Sequence, residues 1–376
     1  MRILSIDFYI PYLLKDESYP IGGWAVELSV WLRALEDAGH EAAILTWKGA
    51  LAHVGSGQQI KLIETYDPAR GVRVAKYFYS YIPKTLAAAR AYRPDVIIQG
   101  ARGLGTGIMA FVAYQLRIPF VYRVVSDADV DERYKIGLRH YEWLAYSWAR
   151  HQTAGFLCQN QYQRDRLAAL FPGKPIHVIH NPIVVAENAT APLPRVARRY
   201  VAWLGVFRYP KNLPLLFRIA QEFPAIKFRV AGMLSRDVDQ STVDAVNGLR
   251  GLPNVDLVGY IKRADIQPFL SEAAMLLCTS HYEGFSNAVL EALAVGVPVV
   301  TRRPVDPDLI VLRHALGASA EDELELGKSV RAIWEMEANE YDELAQRCQT
   351  YVKVNHSPTV KARELIAALT PLVARA

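Results

Sequence analysis

The 376-residue chain has little cysteine and no long apolar run. Its three cysteines, Cys158, Cys278 and Cys348, lie far apart, are odd in number and show no C-x-x-C spacing. That excludes a disulfide framework and a cysteine zinc site, and it fits a reducing compartment. No uninterrupted apolar stretch reaches the roughly 18 residues that a spanning helix needs. The N-terminal MRILSIDFYIPYLL is apolar, but Asp7 and Pro11 break it and no small-residue cleavage site follows. A buried first strand is expected there rather than a signal peptide. No basic run is interleaved with aromatic residues, which argues against a nucleic-acid partner. The glycines of GARGLGTG at 100–107 do not fit G-x-G-x-x-G, and they follow a late strand rather than the first. A nicotinamide site is not expected.

What is present fits a packed protein: 51% hydrophobic and 22% charged residues. At roughly 100–200 residues per domain, two domains are expected. Short apolar runs alternate with helical stretches from RILSIDFYI through DVIIQG, PFVYRVVS and GFLCQN to IHVIHNP, the pattern of a parallel sheet covered on both faces. VVAENATAPLPRVARR, from 184, has small residues, two prolines and no periodicity, and reads as a linker. Its Asn-Ala-Thr at 188–190 matches a glycosylation sequon that has no meaning in a cytosolic chain. The alternation restarts at YVAWLGVF and runs to VPVVT, and PTVKARELIAALTPLVARA reads as a terminal helix. The expected organisation is a domain at 1–183, a linker at 184–198, a second domain at 199–355, and a terminal helix at 356–376 packing back on the first domain. Both domains are expected to be doubly wound, facing one another across a cleft at the carboxyl ends of their strands.

The net charge is +5, and all of the excess lies early. Residues 1–185 hold 21 Lys and Arg against 16 Asp and Glu; the remainder holds 22 of each. The first half is therefore suited to an anionic partner such as a lipid head group or a phosphate-bearing acceptor. The aromatic RHYEWLAYSWARH at 139–151, with basic ends, suits either a core helix or a bilayer surface.

EGFSNAVLE, from Glu283 to Glu291, carries most of the chemistry. It follows the strand AMLLCTS, so HYEGFSN is a strand-to-helix loop in which Ser286 or Asn287 is placed to cap the helix. Gly296 ends that helix. A helix N-terminus offers free N–H groups and partial positive charge to a phosphate, and Gly284 permits close approach. Carboxylates repel phosphate but accept well from vicinal hydroxyls. Glu283 in the loop and Glu291 two turns into the helix therefore read as a clamp around sugar, diphosphate and ribose.

This stretch closely resembles the E-x7-E signature of glycosyltransferase family 4, retaining enzymes of the GT-B fold. The resemblance covers most of the chain. Gly22–Gly23 resembles the glycine loop before the family's first helix, and IHNP at 179–182 the end of its N-terminal domain. WLGVFRYPKN at 203–212 resembles the phosphate-binding segment, and GYI at 259–261 the loop near the base. The resemblance implies a donor site at Gly22, Gly23, Gly205, Tyr260, Gly284, Phe285, Ser286, Asn287 and Glu291. Glu283 would hold the donor sugar and Glu291 the ribose. Lys211 falls six residues after Gly205, as the family's lysine does; the family's arginine position holds Val206, and Arg208 is the candidate replacement. Two such cations would neutralise the departing diphosphate.

The family's histidine is absent: the matching place holds Val125, Ser126 or Asp127. Asp127 is the candidate acceptor-side group, although it also suits a helix cap or turn. DADVD resembles the D-x-D of metal-dependent transferases, but the two-sheet frame argues against a metal there. The resemblance implies a retaining hexosyltransferase-type enzyme without metal or other cofactor. Its donor would be a UDP- or GDP-linked sugar and its acceptor a saccharide or lipid-linked saccharide in cell-surface glycan or lipopolysaccharide synthesis. The enzyme would be cytoplasmic or peripheral on the inner membrane face through the basic half. Two other readings stand beside it: an epimerase or hydrolase of the same fold, and a non-catalytic nucleotide-sugar-binding scaffold.

Overall fold

The computed structural model describes residues 1–15, 21–54, 60–67, 69–70, 76–185 and 191–375. The chain forms two units. Unit 1 runs from Gly23 to Pro182 and also takes in the N-terminal strand and the segment from Pro358; unit 2 runs from Ile183 to Ser357.

The elements of unit 1 are β1 (Arg2–Ile6), α1 (Ile10–Lys15), α2 (Gly23–Asp37), β2 (Glu41–Thr46), β3 (Lys61–Glu64), α3 (Ile82–Tyr92), β4 (Val96–Gly100), α4 (Leu104–Leu116), β5 (Phe120–Arg123), α5 (His140–Gln152), β6 (Gly155–Cys158), α6 (Gln161–Leu170) and β7 (Ile176–Val178). Unit 2 follows with β8 (Tyr200–Leu204), α7 (Leu213–Glu222), β9 (Phe228–Ala231), α8 (Gln240–Arg250), β10 (Val255–Gly259), α9 (Ile266–Ser271), β11 (Ala273–Cys278), α10 (Asn287–Ala294), β12 (Val299–Arg302), α11 (Ile310–Arg313), β13 (Gly317–Ala320), α12 (Glu323–Trp334) and α13 (Ala338–Asn355). The last helix, α14 (Pro358–Val373), returns to unit 1.

Both sheets are parallel throughout, in the orders β3-β2-β1-β4-β5-β6-β7 and β10-β9-β8-β11-β12-β13. Strand alternation sends side chains to two cores. In unit 1, Leu4 and Ile6 pack with Met109 and Val112 of α4, while Ile3 packs with Trp31 of α2 and Leu365 and Leu369 of α14. In unit 2, Val201 and Trp203 meet Leu216 of α7, while Tyr200 and Ala202 meet Leu290 and Leu293 of α10. Burial on both faces explains why these strands read as continuous apolar runs.

Several local expectations are corrected. The first strand ends at Ile6 rather than running to Ile10, because Asp7 starts a helix. Its Oδ1 accepts from the N–H groups of Tyr9 and Ile10 at 2.7 and 2.8 Å, and burial pushes its carboxyl up to about 6. The segment 191–198 is not a loose linker. Arg198 is buried in unit 2, where its guanidinium donates to the carbonyls of Leu193, Ser271 and Gly296. The sequon at 188–190 lies outside the described residues. Two of the four glycines of GARGLGTG serve packing: a Cβ on Gly100 would lie 2.6 Å from the Trp24 ring, and one on Gly107 2.7 Å from Ala145. The three cysteines are buried free thiols.

A buried polar network spans the β5–β6–β7 side of unit 1. Arg123 at the end of β5 meets Glu27 of α2 at 2.8 Å, both nearly fully buried. Its remaining N–H groups donate to the carbonyls of Cys158 and Ile179 and to Asn181 Oδ1. Glu27 also accepts from Trp31 and Gln159. Removing one member of such a pair strands a charge in the interior, which costs about 3–5 kcal/mol. Arg123→Ala is therefore expected to lower unfolding free energy in urea by about 3–5 kcal/mol. Pairing it with Glu27→Gln should restore part of the loss. A single substitution with wild-type stability would show that the network does not hold unit 1 together.

Candidate active site

The carboxyl ends of β8, β9 and β10 come together through backbone. Gly205 N–H donates to the Ala231 carbonyl at 3.1 Å, and Gly232 N–H donates to the Gly259 carbonyl at 2.8 Å. Gly232 has φ +152, and a Cβ there would lie 1.9 Å from the Gly205 carbonyl oxygen. Only glycine fits that crossing. The constrained position is thus Gly232, which sequence reading passed over, rather than Gly205. Gly259 also has positive φ, and Tyr260 follows it half-buried.

Beyond Gly205 the chain makes a 3-10 turn, Tyr209–Lys211, and Asn212 adopts a left-handed conformation before capping α7 through its side chain. The end of β11 pins this turn. Thr279 Oγ1 donates to the Lys211 carbonyl at 2.8 Å and is itself met by Trp203 Nε1 at 3.1 Å. His281 N–H donates to the Pro210 carbonyl at 2.8 Å, and its ring stacks on Tyr209 with centroids 4.9 Å apart. Burial, with Arg302 nearby, lowers the His281 pKa.

So pinned, Lys211 directs its Nζ to Glu283 Oε1 at 2.6 Å, each side chain keeping 15% of its surface exposed. Ser280 Oγ donates to the same oxygen at 2.6 Å. Arg302, at the end of β12, donates to the Ser280 carbonyl at 3.2 Å and brings a further cation to this sheet edge. Arg208 precedes the turn. It is exposed, and among the described residues its side chain makes no hydrogen bond or ion pair.

The loop then enters α10. Gly284 is buried. Phe285 is a core residue, 5% exposed, with its ring 5.3 Å from that of His356, so its side chain faces the interior. Ser286 stands at the N-cap, but its side chain makes no capping hydrogen bond, contrary to expectation; Asn287 is the first helical residue. Glu291, in the second turn, is buried and paired with the Arg263 guanidinium. Burial raises its pKa and Arg263 lowers it. Arg263, Ser280, Thr279, His281 and Arg302 were all missed in the sequence, where none stands in the glutamate frame.

Gly22 and Gly23 are exposed, before and at the start of α2, and a Cβ on Gly22 would meet nothing within 4 Å. The DADVD carboxylates go to separate partners. Asp127 Oδ1 accepts from Asn160 Nδ2 and Gln163 Nε2, both at 2.9 Å, which ties the loop after β5 to α6. Asp129 is buried; it accepts from Tyr122 and the Val125 N–H, and burial pushes its carboxyl up to about 6. Asp131 pairs with Arg133 and accepts from Tyr162. Among the described residues no group of three or more His, Cys, Asp or Glu is placed to hold a metal.

Two parallel-sheet units of this kind define the GT-B fold, and solved structures share it. A sucrose-phosphate synthase from Thermosynechococcus elongatus superposes with a TM-score of 0.74 at 16% identity, over 100% of both chains. Anabaena HepE in complex with UDP-glucose gives 0.75 at 15% identity, over 99% of this chain and 100% of that one. The family description "Glycosyltransferase Family 4" matches residues 21–187 and "Glycosyl transferases group 1" matches 186–355. The chain belongs to the group 1 glycosyltransferases. Among curated proteins, a glycogen synthase from Mycobacterium tuberculosis is 25% identical over 269 residues, 66% of this chain; the match spans 62% of that relative's length.

The strand-end crossing yields a direct check. Gly232→Ala is expected to cost about 1–3 kcal/mol of stability through backbone strain and to shift the β8–Lys211 turn. Chemical denaturation measures the first effect and nucleotide affinity the second. An alanine variant unchanged in both would show that the crossing is relaxed in solution.

Proposed function

We propose that this glycosyltransferase moves a sugar from a UDP- or GDP-linked donor to a saccharide or lipid-linked saccharide, with retention at the anomeric carbon and without a metal. Unit 2 binds the donor and unit 1 chooses the acceptor. The observation that carries the reading is the Lys211–Glu283 pair at 2.6 Å, at the carboxyl edge of a parallel sheet. A diphosphate arriving there offers Lys211 a stronger anion, while the sugar hydroxyls offer Glu283 new donors. Arg208, exposed beside the same turn, supplies the second cation.

In the transfer, the bond from the anomeric carbon to the diphosphate oxygen breaks as the acceptor oxygen bonds to that carbon on the same face. The acceptor proton passes to the departing phosphate. Such a step calls for stabilisation of developing charge rather than a protein nucleophile, and a preorganised cation supplies about 10²–10³ in turnover. Gly22 and Gly23 are assigned to the donor side, and Asp127 to the acceptor side, by resemblance alone. HepE, which shares the fold, was solved with UDP-glucose, and the curated relative is a glycogen synthase. Both support a nucleotide-sugar donor and a saccharide acceptor. Cell-surface glycan or lipopolysaccharide synthesis at the cytoplasmic face is the proposed setting.

Calorimetry with UDP and GDP, each with and without chelator, tests the donor site. One nucleotide should bind with unaltered affinity in chelator. Lys211→Ala should lower turnover about 100-fold with little change in nucleotide affinity. Glu291→Ala should weaken binding about tenfold. Wild-type rates and affinity in both variants would refute the assignment. Isomerisation of free donor would favour the epimerase reading, and binding without any turnover the scaffold.

Membrane contact rests on α5. It buries Tyr146, Ala149 and Arg150 but exposes Tyr141, Leu144 and Trp148 at 39, 47 and 38%. Those three lie at i, i+3 and i+7, on one stripe. Exposed Tyr114 abuts Trp148, and Arg117, Lys135 and Arg139 lie nearby in sequence. No helix among the described residues is long and apolar enough to cross a membrane. Association with anionic vesicles should weaken as salt rises and should fall several-fold in Trp148→Glu. Salt-independent binding, or none, would contradict this role.

A further inference from the structure

Glu291 lies in the second turn of α10 with its side chain 4% exposed. An ionised carboxylate is costly at such a site unless a cation and hydrogen bonds answer it. The answering cation comes from another element. After β10 the chain turns through Arg263–Asp265, and the Arg263 guanidinium meets Glu291 Oε1. Arg263 keeps 36% of its side chain exposed, so the pair runs from the interior toward solvent. It also joins α10 to the segment that carries Tyr260, three residues before Arg263.

Arginine stays charged at every accessible pH and presents a rigid fork. A carboxylate has about four lone-pair sites, so engagement through Oε1 leaves acceptor capacity. A charged acceptor binds hydroxyl donors roughly twice as strongly as a neutral one. A protonated Glu291 would lose that advantage, and an unanchored one its aim.

We propose that Arg263 is a positioning residue that makes the nucleotide site selective for ribose over deoxyribose, by holding the Glu291 carboxylate charged and oriented toward the sugar hydroxyls. The proposal rests on the reading of Glu291 as the ribose ligand. Arg263 acts through Glu291, and the two should behave as one unit. A purely structural tether between the turn and α10 would affect stability alike for every ligand.

The test compares UDP with 2′-deoxy-UDP by calorimetry on the full chain; GDP and 2′-deoxy-GDP replace them if GDP is the nucleotide that binds. The wild type should prefer the ribonucleotide by about tenfold. Arg263→Ala should bring that ratio close to one, by weakening UDP while leaving 2′-deoxy-UDP nearly unchanged. Arg263→Lys, which keeps the charge but not the fork, should recover part of it and stands in if the alanine variant does not fold. Glu291→Gln should also abolish the preference, and the double variant should be no worse than either single one. A wild-type ratio in Arg263→Ala and Arg263→Lys, with Glu291→Gln impaired, would overturn the proposal and leave the ribose reading intact. Tighter UDP binding in Arg263→Ala would overturn it too, since Arg263 would then compete with the ribose. A wild type without preference, or Glu291→Gln with full preference, would refute the ribose reading and the proposal with it.

Discussion

A carboxylate withdrawn from water at a strand end or inside a helix is costly unless a cation or several hydrogen bonds answer it. Three cation–carboxylate pairs among the described residues show the cation's part. Glu27 and Arg123 lie wholly inside unit 1 and lock α2 to the sheet. Lys211 and Glu283 are half-buried at the edge of the second sheet. Arg263 and Glu291 bridge interior and solvent. The gradient in exposure separates their roles. A fully enclosed pair has no ligand to exchange with, whereas a pair open on one side can trade its partner for a phosphate or a hydroxyl. On the proposed reading, Lys211, Glu283 and Glu291 are thereby held in a satisfied form until a donor arrives.

Backbone geometry makes this arrangement possible. The crossing of Gly232 over the Gly205 carbonyl draws the ends of β8 and β9 together, and the Thr279–Trp203 hydrogen bonds hold the following turn. Lys211 therefore projects from a turn anchored on two strands. A long, flexible side chain is costly to immobilise, and fixing its base lowers that cost. The same logic appears at α10, where the segment after β10 supplies the cation that the helix lacks.

The parallel two-domain architecture was legible because strands buried on both faces leave unbroken apolar runs, as in VIIQG and AAMLLC. The edge strand KLIE was not, since none of its residues is fully buried and its apolar signal is weak. The helices over 323–355 were passed over too, where charged and polar residues interrupt the apolar stripe. In the site, Glu283, Glu291 and Lys211 stood out by their spacing. Their partners did not: Arg263 reaches Glu291 from the end of another strand, through a contact that exists only once the sheet has formed, and Ser280 reaches Glu283 within one loop. Ser286 carried the motif's spacing but leaves the helix cap unfilled, and the Phe285 side chain faces the core. Asp127 was read both as an acceptor-side group and as a turn residue, and its hydrogen bonds to Asn160 and Gln163 give it a structural role whatever else it does.

The central claim is that Lys211 and Glu283 exchange partners when a nucleotide sugar arrives, while Arg263 stays on Glu291. The most direct test is a crystal structure of the full chain with UDP or GDP and the corresponding donor sugar. The account predicts Lys211 Nζ on a diphosphate oxygen, Glu283 on the sugar hydroxyls, and Glu291 on the ribose with Arg263 still beside it. A nucleotide bound elsewhere, with the Lys211–Glu283 pair intact, would contradict it.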